Sequence, residues 1–244
     1  MFLNEGTPIL FVDFDGTISK RDVIDRILEE FADDRWLETE EKWVSGEIGS
    51  RTCLQEQFSY VKAAPEQLNE FLDTLELDEG FSSLLDFCCE SDIKIHVVSD
   101  GFDYYIRRML EKAVINPQQL ARINIWANRL TTAGENLWRT DFPFFEKVCG
   151  DGCATCKPAV MRRQNPYAAP SVFVGDGLSD RFAAQAADIV FAKGKLKDFC
   201  RQIRIPLTEY ANLRQVAESL DAAYESFALL TLSGKQTNSW IQAA

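Results

Sequence analysis

Two aspartates directly after an apolar run are the first residues in this sequence that could do chemistry. Asp13 and Asp15 follow the run Ile9–Val12 in the segment Asp-Phe-Asp-Gly-Thr. Residues two apart on a strand point the same way, and ligands of open α/β sheets bind at the carboxyl ends of strands. A divalent cation there would keep one carboxylate ionised as a nucleophile, while the other could act as acid and then base.

The same segment has other interpretations. Asp-x-Asp alone also fits a polar turn with two solvated carboxylates. A calcium-binding EF-hand is excluded, because its loop glycine falls at the fourth position and Ile24 stands where the twelfth-position glutamate should be. Gly16 would let the backbone approach an anion, and Thr17 offers a hydroxyl group.

Three further polar segments begin where predicted strands end or helices begin. Ser99, Asp100 and Gly101 follow the second strand, where Ser99 could donate a hydrogen bond to a phosphate oxygen or cap the next helix. Lys157 stands before Pro158, and a lysine there would neutralise both a phosphate and a nucleophilic carboxylate.

The last segment, Gly-Asp-Gly-Leu-Ser-Asp, follows the third strand. Asp176 could supply a Mg²⁺ ligand, because Mg²⁺ prefers oxygen donors, and Asp180 could orient a metal-bound water or hold Lys157. Each segment alone also fits a capped helix or a surface lysine, but together they predict one phosphate site.

The elements that must position these residues alternate between strands and helices, which predicts a doubly wound, Rossmann-like α/β parallel sheet. The predicted strands are Ile9–Val12, Ile93–Val98, Ser171–Val174 and Ile189–Ala192. The predicted helices are Phe102–Lys112, Pro158–Gln164, Leu178–Ala186 and Leu196–Gln202.

The domain organisation follows from the spacing of these elements. Residues 21–89 contain three amphipathic segments, far more than a crossover needs, and predict an inserted helical cap. We assign residues 1–20 and 90–228 to the α/β core, with a hairpin at about 123–139 that projects from it. Residues 229–244 have no clear period and form a predicted tail.

Composition excludes several classes of protein. The 244 residues carry 38 acidic and 26 basic side chains, a net charge of −12, so we expect no nucleic-acid partner. No run approaches about 18 apolar residues, and the N-terminal segment lacks signal-peptide features, so we expect no membrane span and a cytoplasmic location. Seven cysteines, with Cys88 beside Cys89, suit a reducing compartment. The sequence does not indicate an oligomeric state.

The single histidine, His96, narrows the chemistry further. It excludes histidine-rich zinc sites, two-histidine iron sites and metalloproteases within this chain. A serine-hydrolase elbow would need glycine where Val97 stands. His96 lies in a predicted strand, and we interpret it as a packed residue rather than a general base.

The four polar segments, in this order, resemble the haloacid dehalogenase (HAD) superfamily, whose fold is a Rossmann-like core with a cap. The resemblance implies that Asp13 forms an aspartyl-phosphate and that Asp15 protonates the leaving group and then activates water. It also implies a Mg²⁺ ion bound by Asp13, the main-chain carbonyl of Asp15 and Asp176. The phosphate-binding residues would be Thr17, Ser99, Asp100, Gly101 and Lys157.

The position of the insertion and the Asp-x-Asp-Gly-Thr segment are similar to the C1-cap phosphatases, including the phosphoserine phosphatase group. In that group an acid and a cap arginine bind the amino-acid substrate. Here Asp22 takes the acid position, Gln57 replaces the arginine, and Arg51 lies nearby. An amino-acid carboxylate would therefore lose a charge-assisted partner.

Two other stretches point to different substrates. The segment 36–48 and Cys-x-x-Cys-Lys-Pro at 153–158 resemble the methionine-salvage phosphatases that act on 2-hydroxy-3-keto-5-methylthiopentenyl-1-phosphate, which we favour. The segment 99–106 is similar to phosphoethanolamine/phosphocholine phosphatases. We expect a small phosphorylated metabolite as substrate. A catalytically silent phosphate-binding regulatory protein is the non-enzymatic alternative.

Three cysteines leave another alternative open. Cys149, Cys153 and Cys156 have the spacing of an iron–sulfur motif in radical enzymes, and they could also hold a structural Zn²⁺ with a fourth donor. We interpret them as a loop of reduced cysteines.

Overall fold

One seven-stranded sheet forms the centre of the protein. The computed structural model describes residues 7–114, 116–147 and 150–232. The strand order is β4-β3-β2-β1-β5-β6-β7, and all neighbouring pairs are parallel except β3 and β4. The strands are β1 Ile9–Val12, β2 Ile95–Phe102, β3 Ile123–Thr132, β4 Trp138–Asp141, β5 Ser171–Gly175, β6 Ile189–Ala192 and β7 Thr208–Glu209.

Helices cover the sheet and fill the crossovers, which confirms the doubly wound Rossmann-like α/β class. The helices are α1 Val23–Phe31, α2 Arg35–Val44, α3 Ser50–Tyr60, α4 Pro65–Leu72, α5 Phe81–Glu90, α6 Asp103–Ala113, α7 Pro117–Leu120, α8 Lys157–Gln164, α9 Arg181–Ala186, α10 Gly194–Ile203 and α11 Leu213–Leu232. A short helical turn at Phe14–Ile18 follows β1, and another at Leu178–Asp180 precedes α9.

Strand β1 is apolar throughout because both faces of the sheet are covered. Leu10 and Val12 belong to one buried cluster, while Phe11, which points to the opposite face, belongs to a second. β1 lies between β2 and β5. The carboxyl ends of these three strands therefore meet at one edge, which is where the polar segments of the sequence begin.

The predicted hairpin forms, but it does not simply project from the core. The first half of β3 extends the main sheet, with Ile123 paired in parallel to Ile95, and only its second half pairs with β4. The indole nitrogen of Trp138 on β4 donates to the Ala63 carbonyl at 3.0 Å. Contact with the segment after α3 thus holds the hairpin, an interaction that local sequence does not reveal.

Helices α1–α4 lie between β1 and β2, within the stretch that the sequence predicts as a cap. The next helix, α5, packs instead against α11, and a Cβ atom at Gly80 would come within 2.0 Å of the Arg214 backbone nitrogen. The boundaries of the cap stay a prediction. Helix α11 continues to Leu232, past the predicted start of the tail at 229, and the rest of that tail lies outside the described residues.

No helix in the ranges that the structure describes has the length and apolar character needed to cross a membrane.

Candidate active site

A cavity of about 330 Å³ opens where the carboxyl ends of β1, β2 and β5 meet. Two groups of side chains shape it. The core edge consists of Asp13, Asp15, Lys157, Asp176 and Asp180, and the helical wall consists of Asp22, Asp25, Glu40, Trp43 and Gln57. Most of these line the cavity directly, together with Ser99, Asp100 and Gly101, while Lys157 and Asp180 support it from behind.

Lys157 joins two carboxylates beneath the cavity. Its ammonium group lies 2.7 Å from Asp13 Oδ1 and 2.6 Å from Asp180 Oδ1, and all three side chains are almost completely buried. Burial by itself lowers the pKa of Lys157, but the charges of Asp13 and Asp180 outweigh this effect and raise it above its usual value. The lysine is therefore a fixed cation beside Asp13.

Negative charge accumulates around Asp13. Burial raises its pKa well above the usual range, and the carboxylates of Asp180, Asp176 and Asp15 add to this effect, while only Lys157 opposes it. Burial also raises the pKa of Asp176 to about 6. The core edge therefore has more negative charge than Lys157 alone can offset, which favours the binding of a further cation.

The carboxylates of the core edge offer donors that suit a hard divalent cation. Oxygens of Asp13, Asp176 and Asp180 lie within 4.8 Å of one another. Asp180 is already engaged, because its Oδ2 accepts the backbone N–H groups of Asp176 and Gly177 at 3.0 and 3.1 Å. Asp13 and Asp176 each use one oxygen for a hydrogen bond, so the second oxygen of each receives none from the described residues.

Three donors hold the carboxyl group of Asp15. Tyr105 and Ser99 donate their hydroxyls to Oδ2 at 2.7 and 3.1 Å, and the backbone N–H of Val23 donates to Oδ1 at 3.2 Å. Burial raises the pKa of Asp15, against the lowering effect of these hydrogen bonds. A carboxyl group with a raised pKa is suited to carry a proton.

Gly101 leaves the space that Asp15 needs. A Cβ atom at this position would lie 1.8 Å from the Tyr105 hydroxyl oxygen and 2.4 Å from Asp15 Oδ2. Tyr105 was absent from the sequence-based site, because a tyrosine one turn into an amphipathic helix has the pattern of a core residue. It is indeed fully buried, but its hydroxyl points at Asp15.

Other predicted phosphate-binding residues have specific partners. The Thr17 hydroxyl donates to Asp176 Oδ1 at 2.9 Å, so it orients that carboxylate. The Ser99 hydroxyl accepts the Gly101 N–H at 2.8 Å as well as donating to Asp15. Asp100 accepts the Ser50 hydroxyl at 2.7 Å and the Thr155 N–H at 3.0 Å, which links the start of α3 to the loop before Lys157.

The helical wall contains two of the three predicted specificity residues. Asp22 and Gln57 line the cavity, together with Asp25, Glu40 and Trp43, which the sequence did not single out. Arg51 does not line it, because its guanidinium group stacks at 4.5 Å from the centre of the Phe145 ring. Asp22 and Asp25 belong to the start of α1, while Glu40 and Trp43 lie on α2, so only the packing of α1, α2 and α3 reveals them as one surface.

The cysteine triplet is only partly described. Cys156 is buried directly before α8, and Cys153 is half-buried. The prediction for Cys149 falls on a residue outside the described ranges. Cys53, Cys88, Cys89 and Cys200 form no disulfide.

Comparison with known proteins agrees with this geometry. The chain is 30% identical over 224 residues to 2-hydroxy-3-keto-5-methylthiopentenyl-1-phosphate phosphatase of Bacillus pumilus (strain SAFR-032), which covers 89% of this chain and 93% of that enzyme. The enzyme of the same name from Brevibacillus brevis (strain 47) is 27% identical over 214 residues, which cover 87% of this chain and 94% of that enzyme.

Solved structures have the same fold. A phospho-aspartyl intermediate analogue of phosphoserine phosphatase superposes with a TM-score of 0.68 at 19% identity, covering 87% of this chain and 98% of that one. A substrate-bound phosphoserine phosphatase complex gives a TM-score of 0.65 at 19% identity and the same coverage. A family model for haloacid dehalogenase-like hydrolases matches residues 10–185. The chain belongs to the haloacid dehalogenase-like hydrolase family.

Proposed function

We propose that this protein is a Mg²⁺-dependent phosphomonoesterase that hydrolyses a small phosphorylated metabolite through an aspartyl-phosphate intermediate. The observation that carries the proposal is the arrangement of Asp13, which lies at the floor of the cavity, ion-paired to Lys157 and within reach of Asp176. Family membership and the phosphatase names of the relatives support the same reaction class.

In the first half of the reaction, Asp13 is the nucleophile. Lys157 holds the carboxylate beside the cavity, and one of its oxygens attacks the phosphorus atom. Asp15 donates a proton to the leaving oxygen of the ester. The alcohol departs, and the phosphoryl group stays on Asp13.

In the second half, Asp15 acts as the base. It lost its proton to the leaving group, so it can accept one from a water molecule that attacks the phosphorus atom and releases Asp13 and inorganic phosphate. The Tyr105 hydroxyl and the Val23 N–H keep Asp15 in place for both steps. Ser99 must turn its hydroxyl from Asp15 towards the phosphoryl oxygens if it also binds them.

The residues present fit a Mg²⁺ ion. Asp13 would hold it through the carboxylate oxygen that does not attack phosphorus, and Asp176 through its unpaired oxygen, with the main-chain carbonyl of Asp15 as a third ligand, as the family resemblance implies. Thr17 and Asp180 would keep Asp176 and its backbone in position. When bound, the ion would neutralise the charge of the phosphoryl oxygens and of the crowded carboxylates.

For the substrate we propose 2-hydroxy-3-keto-5-methylthiopentenyl-1-phosphate, the compound in the names of the relatives. A cavity of about 330 Å³ suits a small metabolite, and Trp43, Leu54 and Ile24 give it an apolar side for an uncharged tail. Phosphoserine, phosphoethanolamine and phosphocholine are the alternatives to be compared with it. The cytoplasmic location also stays a proposal, which cell fractionation would test.

Turnover of p-nitrophenyl phosphate by the purified protein with Mg²⁺ tests the reaction class. We expect release of p-nitrophenol that stops in excess EDTA and returns when Mg²⁺ is added back. Activity that is unchanged in EDTA contradicts the metal-dependent mechanism. A protein that binds inorganic phosphate but hydrolyses neither this ester nor the four candidate substrates would instead be a phosphate-binding regulatory protein. Relative kcat/KM values for those four esters then identify the substrate.

A further inference from the structure

Gln57 lies in the helical wall of the cavity, and its orientation is fixed. The side chain is 1% exposed, and its Nε2 donates to Glu40 Oε2 at 3.1 Å. A carboxylate only accepts hydrogen bonds, so the amide nitrogen must face Glu40 and the amide oxygen must face away from it. Cys53 adds a second, weaker contact to the same Glu40 oxygen at 3.8 Å.

The amide oxygen of Gln57 is left for a ligand. It accepts no hydrogen bond from any residue that the structure describes, although nearly the whole side chain is buried. Among the described residues no fully enclosed side-chain nitrogen or oxygen lacks a partner, so this oxygen touches open space, and the open space beside Gln57 is the cavity. An acceptor without a partner among the described residues thus borders the space that a substrate would occupy.

The rest of the helical wall also presents hydrogen-bond acceptors and little positive charge. Asp22, Asp25 and Glu40 present carboxylates, and Arg51, the nearby cation, is turned away onto Phe145. In the described part of the chain, the cavity lining contains one cationic side chain, that of Lys195. A second anionic group on a substrate would therefore meet like charges and an amide oxygen, with little to offset its lost hydration.

We propose that Glu40 is a specificity-determining residue. By fixing Gln57, it places hydrogen-bond acceptors in the cavity wall beside the apolar side chains, which selects phosphate esters that carry a hydroxyl group beyond the phosphate and rejects those that carry a second anionic group there. This inference rests on the proposed function, because it concerns the part of the substrate that remains outside the phosphate site.

If Glu40 fixes the residue at position 57, it should also control an arginine introduced there. An arginine introduced at position 57 would pair with Glu40 and would not be free for a substrate carboxylate. Gln57→Arg by itself should therefore change the selectivity little. Glu40→Gln combined with Gln57→Arg should leave the guanidinium group free, and should reverse the selectivity.

Glycerol 3-phosphate and 3-phosphoglycerate are a matched pair of probes, because they differ only in a hydroxymethyl group against a carboxylate. We would measure the Kd of each by calorimetry with Mg²⁺ in an Asp13→Asn background, where neither ester is turned over. We expect glycerol 3-phosphate to bind at least about tenfold more tightly, since like charges brought together at an interface are strongly unfavourable. Glu40→Gln should reduce this ratio about tenfold.

Matched variants separate the role of Glu40 from general effects. Glu41→Gln makes the same change one residue away, on an exposed position outside the cavity, and should leave the ratio as it is. Gln57→Met removes the amide oxygen at similar size and should weaken glycerol 3-phosphate binding about fivefold. Gln57→Met gives an independent measurement if Glu40→Gln does not fold.

Equal affinity for the two esters, including no binding of either, overturns the inference. The inference is also overturned if Gln57→Arg gains as much affinity for 3-phosphoglycerate as the double variant does, because Glu40 would then not be restraining position 57. The result is independent of catalysis. A protein with the expected binding ratio but no p-nitrophenyl phosphate turnover would retain this inference and lose the proposed function, and an active protein without the ratio would do the opposite.

Discussion

The core edge and the helical wall face the same cavity but are built differently. In the core edge Asp13, Lys157 and Asp180 are 4%, 1% and 0% exposed, and Lys157 forms an ion pair with each of the two carboxylates. In the helical wall Asp22 and Asp25 are exposed, and few of the acceptors are paired. The core edge is held rigidly by the sheet, while the wall has groups that are left for a ligand.

Because of this difference, changes in the two regions should affect different kinetic constants. Buried charges that are held in place can stabilise a transition state without reorganising, so changes in the core edge should act on kcat. Groups that contact only the distant part of a substrate bind ground state and transition state alike, so changes in the wall should act on KM. The following predictions test this division, beginning with the largest effect.

Asp13→Asn should cause the largest loss of activity among the changes considered. The amide is a poor nucleophile, so kcat for p-nitrophenyl phosphate should fall by about 10⁴-fold or more. Steady-state kinetics with Mg²⁺ measures the loss, and Asp198→Asn, on an exposed turn of α10, is the matched control. Activity in the Asp13 variant comparable to wild type would remove this residue from the mechanism.

Gly101→Ala should test whether the position of Asp15 matters. Its methyl group would collide with the Tyr105 hydroxyl and with Asp15 Oδ2, at 1.8 and 2.4 Å, so both must shift. We expect kcat to fall about 10²-fold, because small displacements of catalytic groups are costly. Gly150→Ala, where a Cβ has open space, should retain full activity. Equal activity of the two variants would contradict the role of Tyr105 and Asp15.

Trp43→Ala should show the behaviour of the helical wall. The indole lines the cavity from α2 and is not part of the core edge that we assign to the reaction. We expect KM for the best natural substrate to rise about tenfold while kcat changes less than about twofold, since uniform binding is lost. A fall in kcat with unchanged KM would show that the wall takes part in the chemistry.

His96→Gln should leave both regions intact and change only acid stability. The Trp126 indole donates to His96 Nδ1 at 3.1 Å, which requires a neutral ring, and burial lowers the pKa of His96 to about 4. The unfolded chain takes up this proton below its usual pKa of about 6.5, so wild-type stability should fall from about pH 6.5 towards pH 4.

Denaturant unfolding from pH 7 to pH 4 measures this effect. Between pH 7 and pH 4 the lowered pKa of His96 should reduce the free energy of unfolding by about 2 kcal/mol, after allowance for solvent screening. The Gln variant should lack this reduction. Parallel pH profiles of the two proteins would contradict the assignment. Phosphatase activity at neutral pH should be equal in both, which separates the stability of the sheet from the chemistry of the site.

Much of the core edge was predictable because it depends on local patterns. Apolar runs before Asp13 and Asp176 identify buried strands, and parallel strands place their carboxyl ends together. The bounds of β1 and β6 were predicted correctly, while β2 continues past Val98 to Phe102 through an irregular register that periodicity does not indicate.

The helical wall was less predictable because its residues come from separate helices. Asp22 and Gln57 were expected through family resemblance, but Glu40 and Trp43 are adjacent to them only through the packing of α2 on α3. Arg51 was expected near the substrate and lies against Phe145, nearly one hundred residues later in the chain, which no local pattern indicates.

Local sequence patterns predict which acids follow buried strands, which lysine stands at the start of a helix, and that the sheet is doubly wound. The contacts of Tyr105 with Asp15 and of Glu40 with Gln57 follow only from the packing of the folded chain. The two kinds of information differ in range. Alternation and helical period act over a few residues, whereas these hydrogen bonds depend on how whole helices and strands pack to bury their apolar faces.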